Sequence, residues 1–415
     1  MKSSSIQPVS IVLVAVSGYG YFYLKTLLEE VPPEQYLLKA VVDLTPEKSG
    51  YFGELKNRNI PIFFSLEEFY SSGGNADLVV ISSPNHFHAS QTCLALRNKS
   101  NVLCDKPLAI TVQEVKQIID TRNNTGNWVM VGFQWCYSRA ILELKKDIMN
   151  GVFGKPKRFK TLCLLPRDFS YYSRNDWAGK IRGKKGEWIL DSPAQNAMSH
   201  FLHNLLFILG NELSSAVRPV KVCSEVYKSY DIENFDTIAC RIFTENDIEI
   251  LFYASHSTFK NIDPMFSLEF ENAIVNYDKI SDQVTAVDSR GKWKLYGSPY
   301  DTHQFQKLFD SISNVNNPVP VVCAPETVIP HTICVNGIQE SISEIPSYPV
   351  DKINSDTEKK RLWMNGLGEV LTECYDKGLL PNEAGFPWSI EPGETDLKNY
   401  NYFPRNSFHS SENKK

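Results

Sequence analysis

From Ile11 to about residue 134, short apolar runs rich in β-branched residues alternate with longer stretches of helical periodicity. Apolar strands that are separated by helices are typical of a parallel sheet covered on both faces. The alternation therefore predicts an α/β domain built on a parallel sheet. The predicted strands are Ile11–Val16, Leu38–Val42, Ile62–Phe64, Leu78–Ser82, Asn101–Cys104 and Trp128–Phe133.

After Cys136 the pattern changes, and strands that alternate apolar and polar residues dominate, as half-exposed antiparallel strands do. At 415 residues the chain exceeds the usual size of one core. We therefore predict an α/β domain over residues 1–136 and an α+β domain with a large, open, mainly antiparallel sheet over residues 137–388. Residues 389–415, rich in Asn, Ser, Glu and Lys, predict an irregular tail. Helices are predicted at Arg139–Asn150, Tyr300–Ile312, Glu326–Glu340 and Lys359–Lys377.

The amino-acid composition argues against nucleic acid and membranes as partners. The net charge of −5 argues against nucleic acid or an anionic membrane, because both attract clustered Lys and Arg. No run approaches the roughly 20 apolar residues that span a bilayer. The nine cysteines are scattered without a Cys-x-x-Cys pair, which indicates neither a disulfide framework nor a zinc site. We therefore expect a cytoplasmic protein without a metal centre.

Gly18-Tyr19-Gly20 lies where the first predicted strand turns into a helix. Glycines at this spacing permit a tight turn and let the backbone approach a diphosphate at the helix N-terminus. Asp43 follows the second strand, where a carboxylate can bind both ribose hydroxyls. No Arg follows it directly to hold a 2′-phosphate, so the sequence favours NAD over NADP. An ordinary βα turn with a solvated Asp43 is the alternative.

Tyr23 departs from this dinucleotide fingerprint, which has a third small residue at its position. A bulky ring there should push the helix away from the strand. We therefore expect the diphosphate to sit differently from its usual position.

Two further segments follow predicted strands: Ser83-Pro84-Asn85-His86-Phe87-His88 after the fourth, and Cys104-Asp105-Lys106-Pro107-Leu108 after the fifth. Together with the N-terminal glycines and Gly132-Phe133-Gln134, they resemble the glucose–fructose oxidoreductase, inositol dehydrogenase and MocA (Gfo/Idh/MocA) family of oxidoreductases. The resemblance is close over the nucleotide domain and loose to about residue 345. Its most specific part is Asp-Lys-Pro, which resembles the family's Glu-Lys-Pro signature.

The resemblance implies a Rossmann fold and a set of site residues. Lys106 would be the catalytic lysine, Asp105 would stand for the family's glutamate, and Asn85 and His88 would lie beside the nicotinamide. The full set of expected cofactor contacts is Gly18, Tyr19, Gly20, Asp43, Ser83, Pro84, Asn85, His88, Asp105, Lys106 and Gln134. Loops after the carboxyl ends of parallel strands line the ligand crevice, where desolvation and a cationic nicotinamide should lower the pKa of Lys106. A surface lysine is the alternative.

A helix is predicted over Pro193–Leu209. Ser192-Pro193-Ala194-Gln195 has the form of a capping box with Pro at the first helical position, and Gly210 follows the last turn. At about 100° per residue, one face carries the polar side chains. They are Asn196, His200, His203 and Asn204. Such a stripe on an apolar helix suggests a wet cleft.

The family carries an Asp-x-x-x-His pair on a helix of this kind, in which His takes the substrate hydroxyl proton. The matching positions here are Asn196 and His200, so both are expected in catalysis. Asn can orient an imidazole but cannot stabilise the imidazolium as an anion would, so His200 should be a weaker base. Asp191 or Asp176 could supply the missing charge. A hydrogen-bonded structural histidine is the alternative for His200, and His203 could simply support the site.

An aromatic and basic cluster precedes this helix: Arg167, Tyr171, Tyr172, Arg174 and Trp177. It suits a hydroxylated or anionic ring, although a packed surface loop explains it equally well. Together with His203, we take Arg174 and Trp177 as candidate substrate contacts.

The resemblance implies an NAD(P)-dependent interconversion of hydroxyl and ketone on a sugar, cyclitol or related polyol. His200 would take the hydroxyl proton and Lys106 would hold the oxygen. Two alternatives stay open: a glycosidase or lyase with a tightly held, redox-cycling NAD, and a catalytically inactive sugar sensor. The family also implies a homodimer or homotetramer that associates through the open face of the second-domain sheet.

Overall fold

The computed structural model describes residues 7–405. Its strands are β1 (Val9–Val14), β2 (Tyr36–Val42), β3 (Ile62–Phe63), β4 (Leu78–Ile81), β5 (Asn101–Cys104), β6 (Val129–Val131), β7 (Pro156–Leu164), β8 (Pro219–Tyr227), β9 (Thr237–Thr244), β10 (Glu249–Ser255), β11 (Ile262–Phe270), β12 (Ala273–Asp278), β13 (Gln283–Asp288), β14 (Trp293–Gly297), β15 (Ile353–Asp356), β16 (Arg361–Met364) and β17 (Gly393–Asp396). Its α-helices are α1 (Gly20–Glu29), α2 (Phe52–Asn57), α3 (Leu66–Ser71), α4 (His88–Arg97), α5 (Val112–Thr125), α6 (Arg139–Met149), α7 (Phe169–Ser173), α8 (Ser199–Ile208), α9 (Gln306–Asn316), α10 (Pro325–Glu340) and α11 (Leu367–Lys377). Short 3₁₀ turns occur at Pro33–Gln35, Pro46–Lys48, Asn85–Phe87, Gln134–Tyr137 and Val350–Lys352.

The chain divides into two compact units. Within the described residues, unit 1 comprises 7–109, 113–137 and 302–328, and unit 2 comprises 110–112, 138–301 and 329–405. The sequence predicted residues 302–328 in the second domain, whereas the structure assigns them to unit 1. The reason is long-range packing, since Phe305, Leu308 and Ile312 lie in the core of unit 1.

Unit 1 contains a six-stranded sheet in the order β3-β2-β1-β4-β5-β6, and every adjacent pair is parallel. The strand order reverses between β1 and β4, and ligands of open parallel sheets bind at such a switch point, beyond the carboxyl ends of the strands. The predicted Rossmann architecture is confirmed. Apolar side chains of β1, β2 and β4 pack with those of α1 and α9.

Unit 2 is built on a nine-stranded sheet in the order β14-β13-β12-β11-β7-β10-β9-β8-β17. The β7–β10 pair is parallel and the other pairs are antiparallel, so the predicted α+β fold with a mainly antiparallel sheet is confirmed. β7 and β10 share a core with α11. On β12 and β14, by contrast, the apolar side chains of Ile274, Trp293 and Leu295 are exposed.

Near the C-terminal end of unit 2, two segments differ from the prediction. The helix predicted from Lys359 begins only at Leu367, because residues up to Met364 pair as the β15–β16 hairpin and Gly366 then adopts a left-handed conformation at φ 74°. The tail predicted to be irregular from residue 389 contains β17, which pairs with β8. Its apolar side chains are buried beyond β17, at Leu397, Tyr400 and Phe403. Residues 406–415 of the predicted tail lie outside the described residues.

The described residues contain neither a helix that could span a membrane nor a disulfide. Across positions 7–405, no helix has both the length and the apolar character needed to cross a bilayer. All nine cysteines fall in this range, and every one of them is buried without forming a disulfide.

Candidate active site

The turn between β1 and α1 needs glycine at two positions for different reasons. Gly18 has a φ of +58°, a left-handed conformation that costs a residue with a Cβ free energy. A Cβ on Gly20 would instead overlap the carbonyl oxygen of Ala15 and the Oγ of Ser82. Helix α1 can therefore start close to the ends of β1 and β4 only with glycine at position 20.

The Asp43 carboxylate fixes this turn. Its Oδ2 accepts hydrogen bonds from the backbone N–H of Val16 at 2.8 Å, the N–H of Ser17 at 3.2 Å and the Ser17 hydroxyl at 3.1 Å. Within residues 7–405, its Oδ1 accepts one hydrogen bond, from the Thr45 N–H at 2.8 Å. A carboxylate offers about four acceptor positions, so Oδ1 retains capacity for a further donor such as a ribose hydroxyl. Asp43 is only 8% exposed, so the sequence-based alternative of a solvated loop carboxylate is wrong.

The start of α1 has the chemistry that a diphosphate requires. In the described structure the first turn has no side-chain cap and no acidic side chain. Its backbone N–H groups are thus not occupied by a capping side chain, and the helix dipole favours an anion there. The space beside Gly18 is also open, since an added Cβ would meet nothing within 4 Å. These residues fit a dinucleotide.

Tyr23 does not displace α1 as the sequence predicted. The side chain is 1% exposed, and its ring packs edge-on against Phe305 at 4.8 Å between centroids. Its hydroxyl donates to Oδ1 of Asp105 at 2.9 Å. The expected outward push is wrong, because the ring enters a cavity that the aromatic residue before α9 completes and its polar end finds an acceptor.

Lys307 on α9 is a buried cation that the sequence analysis did not single out. Its Nζ lies 3.2 Å from Oδ1 of Asp105 and donates to the carbonyl oxygen of Gly132 at 3.1 Å. Burial alone would lower the pKa of Lys307, but the negative charge of Asp105, with a smaller contribution from Tyr19, raises it. Nothing in the local sequence distinguishes this lysine from a surface residue, because its partner lies 202 positions away.

His88 ties the two motif loops together. Its Nδ1 lies 2.7 Å from the carbonyl oxygen of Pro107 and its Nε2 lies 2.8 Å from that of Ser83. Burial lowers the pKa of His88, although both carbonyls oppose this shift. A neutral imidazole has a single N–H, so His88 donates to one of these carbonyl oxygens and packs against the other, between the loops that follow β4 and β5.

The other expected cofactor residues of unit 1 lie on the segments that follow β4, β5 and β6. They are partly exposed: Ser83, Pro84, Asn85, Lys106 and Gln134. The hydroxyl of Ser83 donates to Gln91 at 2.6 Å, so this side chain is engaged within the protein. The carboxyl edge of the sheet thus collects the motif residues that lie far apart in sequence.

In unit 2, the helix that carries His200 starts later than predicted. The Gln195 N–H bonds Oγ of Ser192 at 3.3 Å, as in a capping turn, but regular helix begins only at Ser199. Residues 193–198 form turns, because successive backbone bonds there span three, four and five residues without a continuous helical ladder. The prediction of helix from Pro193 is therefore wrong over six residues.

An aspartate reaches the turn that carries Asn196. Oδ1 of Asp191 accepts a hydrogen bond from Nδ2 of Asn196 at 2.8 Å, and Oδ2 accepts from the Gly179 N–H at 2.7 Å. Asp176 instead pairs with Lys184 at 3.1 Å on the surface. Of the two carboxylates considered from sequence, Asp191 is thus the one that contacts Asn196.

The polar side chains of α8 do not all face solvent. His200 is partly exposed, whereas His203 and Asn204 are each 1% exposed. The His203 ring stacks near Phe207, and burial holds its pKa well below the usual range. The expectation that both histidines face a wet cleft is wrong for His203, because helical periodicity gives the direction of a side chain but not what covers it.

The nucleotide-binding region matches a known family model, described as "Oxidoreductase family, NAD-binding Rossmann fold", over residues 10–133. Residues 10–133 thus match the NAD-binding domain of the Gfo/Idh/MocA oxidoreductase family. Among its curated relatives, inositol 2-dehydrogenase of Rubrobacter xylanophilus is 28% identical over 153 residues, which is 37% of this chain and 43% of that protein. The NADP⁺-dependent scyllo-inositol 2-dehydrogenase IolU of Bacillus subtilis is 28% identical over 145 residues, 35% of this chain and 43% of its own length.

The match to these Gfo/Idh/MocA relatives spans less than half of their length. The likeness in fold extends further. The WlbA dehydrogenase of Bordetella pertussis, solved in complex with NADH and UDP-GlcNAcA, superposes with a TM-score of 0.65 over 79% of this chain and 94% of that chain, at 18% identity. This similarity shows a shared fold and leaves the substrate open.

Proposed function

We propose that this protein is a nicotinamide-dependent dehydrogenase that interconverts a hydroxyl and a ketone on a sugar, cyclitol or related polyol. The observation that carries the proposal is the carboxyl edge of the unit 1 sheet. It combines an uncapped helix start, the buried Asp43 carboxylate and a partly exposed Lys106. These groups suit a diphosphate, a ribose and a substrate oxygen respectively.

The proposed reaction assigns one task to each side chain. The ammonium of Lys106 donates a hydrogen bond to the substrate oxygen and stabilises negative charge that develops on it. His200 takes the hydroxyl proton while the carbon–hydrogen bond breaks and the carbonyl forms. Bound NAD would supply the acceptor for the departing hydride. In the reverse direction His200 returns the proton to the oxygen.

Asn196 and Asp191 would tune this base. Asn196 takes the place of the family's aspartate and carries no charge, but its amide donates to the Asp191 carboxylate at 2.8 Å. The negative charge therefore lies on Asp191, which contacts Asn196, and not at position 196 itself as in the family pattern. We expect His200 to be oriented by this arrangement but to be a weaker base than with a direct carboxylate partner.

The preferred nucleotide is proposed to be NAD. The carboxylate of Asp43 is buried at the end of β2 and would repel a 2′-phosphate at close range. A relative with NADP⁺ in its name shows that the family includes the other cofactor, so the preference must be measured. The cytoplasmic location and the homo-oligomeric state stay predictions.

Titration of the purified protein with NADH and with NADPH, followed by nucleotide fluorescence, tests the cofactor site. We expect tighter binding of NADH. NADH formation is then measured with NAD and a panel of sugars and inositols. Lys106→Met should lower kcat by about 10²-fold or more, the scale of a lost proton-transfer or oxyanion contact. Lys39→Met, at an exposed position of β2, is the matched control and should leave turnover unchanged.

The alternatives predict different outcomes. A redox-cycling glycosidase or lyase would keep its NAD through purification and release no net NADH on turnover. An inactive sensor would bind nucleotide without turnover and would respond to Lys106→Met no more than to Lys39→Met. Failure to bind either nucleotide would refute the proposed function itself.

A further inference from the structure

Two arginines of unit 2 stack on the same tyrosine ring. The guanidinium carbon of Arg174 lies 3.7 Å from the Tyr171 ring centroid, and that of Arg167 lies 4.7 Å from it. In the part of the chain that the structure describes, neither guanidinium has a carboxylate oxygen within 4.0 Å. Two like charges are thus held close together, with aromatic stacking but no direct counterion.

The positive charge of this pair acts on its surroundings. His256 is buried, and its backbone carbonyl oxygen accepts a hydrogen bond from the backbone N–H of Arg167 at 3.0 Å. Burial, followed by the charges of Arg167 and Arg174, holds the pKa of His256 well below its usual range. Both Nε of Arg167 and Nε2 of His256 are shielded from water and have no hydrogen-bond partner in residues 7–405. The hydrogen-bonding capacity of the cluster is therefore not used up within the protein.

The arginine pair adjoins the candidate substrate residues of the same unit. Trp177 lies 5.1 Å from the Arg174 guanidinium. Oδ2 of Asp191 accepts a hydrogen bond from the Gly179 N–H at 2.7 Å, two residues after Trp177. Burial, and after it the negative charge of Asp191, raises the pKa of Tyr171. Asp191 in turn contacts Asn196, four residues before His200. The two cations thus lie beside the segment that carries the proposed base.

We propose that Arg167 and Arg174 form an anion subsite, and that the substrate is a sugar or polyol that carries a carboxylate. This inference rests on the proposed function and adds the substrate class. A guanidinium binds a carboxylate through two parallel hydrogen bonds, which a neutral hydroxyl cannot match. Two arginines and Asp191 together carry a net charge of about +1, which complements a single carboxylate better than a doubly charged phosphate.

Isothermal titration of the full chain, with and without saturating NADH, tests this subsite by binding alone. The probes are matched pairs: D-glucuronate with D-glucose, D-galacturonate with D-galactose, and D-gluconate with D-glucitol. At least one acid should bind about tenfold or more tightly than its neutral partner, the scale of a hydrogen-bonded charge. The preference should weaken as salt is added, since salt screens exposed charges.

The double variant Arg167→Gln/Arg174→Gln should reduce that ratio to about threefold or less while NADH affinity stays unchanged. Arg174→Lys retains the charge but not the planar fork, and should give an intermediate ratio. Arg182→Gln is the control, because Arg182 also stacks on an aromatic ring of this unit, at 3.5 Å from Trp188. Circular dichroism and melting curves show which variants fold, and Arg174→Lys keeps the test informative if the double variant does not.

Three outcomes overturn the subsite: neutral partners that bind as tightly as every acid, an acid preference that the arginine variants leave intact, and tighter binding of D-glucose 6-phosphate than of any carboxylate. Failure of the proposed function gives a different result. In that case NADH does not bind, yet the acid preference and its loss in the arginine variants are still measured in the nucleotide-free titration.

Discussion

Replacement of Lys307 by methionine would test the buried network that supports the Lys106 loop. The change keeps most of the aliphatic stem and removes a cation that is 1% exposed and lies 3.2 Å from Asp105. Breaking a buried ion pair by removing one partner costs about 3–5 kcal/mol, because the other charge is left buried without compensation. Asp105 keeps its hydrogen bond from Tyr23, so we expect a loss near 3 kcal/mol, the lower end of that range.

Peptide-resolved hydrogen exchange is the appropriate assay, because a chain with two compact units need not unfold in one step. Peptides that cover β4 and β5 should lose protection in Lys307→Met. Asp105→Asn/Lys307→Met removes both charges and should recover part of the loss. Lys39→Met, at an exposed site, should change the free energy of opening by no more than about 0.5 kcal/mol. A Lys307→Met loss below about 1 kcal/mol, or no recovery in the double variant, would refute the reasoning.

The same pair has a pH dependence of known sign. Burial alone would lower the pKa of Lys307, but the charges of Asp105 and Tyr19 and the hydrogen bonds to both together raise it in the folded state. Its contribution to stability is therefore fully present below the unfolded lysine pKa of about 10.4 and is lost as pH rises through the folded value. Above about pH 10 the wild-type protein should lose stability more steeply than Lys307→Met. Parallel curves for the two proteins would contradict this coupling.

Three further predictions concern the nucleotide turn and the base. Gly20→Ala should destabilise the protein by about 1–3 kcal/mol, because the added Cβ overlaps a main-chain carbonyl, and should weaken NADH binding. The control Gly53→Ala, in α2, should change neither stability nor NADH affinity, because its Cβ meets nothing. Equal NADH affinity in the two variants would contradict the close approach at Gly20. Tyr23→Phe should cost about 1.5–3 kcal/mol in hydrogen-exchange stability, because it removes a hydrogen bond to a buried carboxylate; no change would show that bond to be unimportant. Asn196→Asp should raise the pKa of His200, because the new carboxylate stabilises the imidazolium. The base works only when deprotonated, so the acidic limb of the kcat/KM profile should move to higher pH by about one unit. An unmoved limb would count against His200 as the base.

The sequence alone determined the architecture and the location of the nucleotide turn. Strand and helix periodicities are local properties of side chains two to four residues apart, so the alternation after Ile11 was enough to predict the parallel sheet. Gly18 and Gly20 were likewise identifiable, because the turn they form is set by nearby backbone. The segment after β5, with Lys106, followed from its resemblance to a family signature.

Only the tertiary structure decided which buried groups meet. Tyr23 looked like an obstacle until Asp105, 82 residues away, was found to accept its hydroxyl hydrogen bond. Lys307 could not be singled out from the sequence, because its ion-pair partner, the same carboxylate, lies 202 residues away. Local periodicity predicts which face of an element a residue occupies. The stability of a buried charge, by contrast, depends on a partner that the folded chain brings from elsewhere.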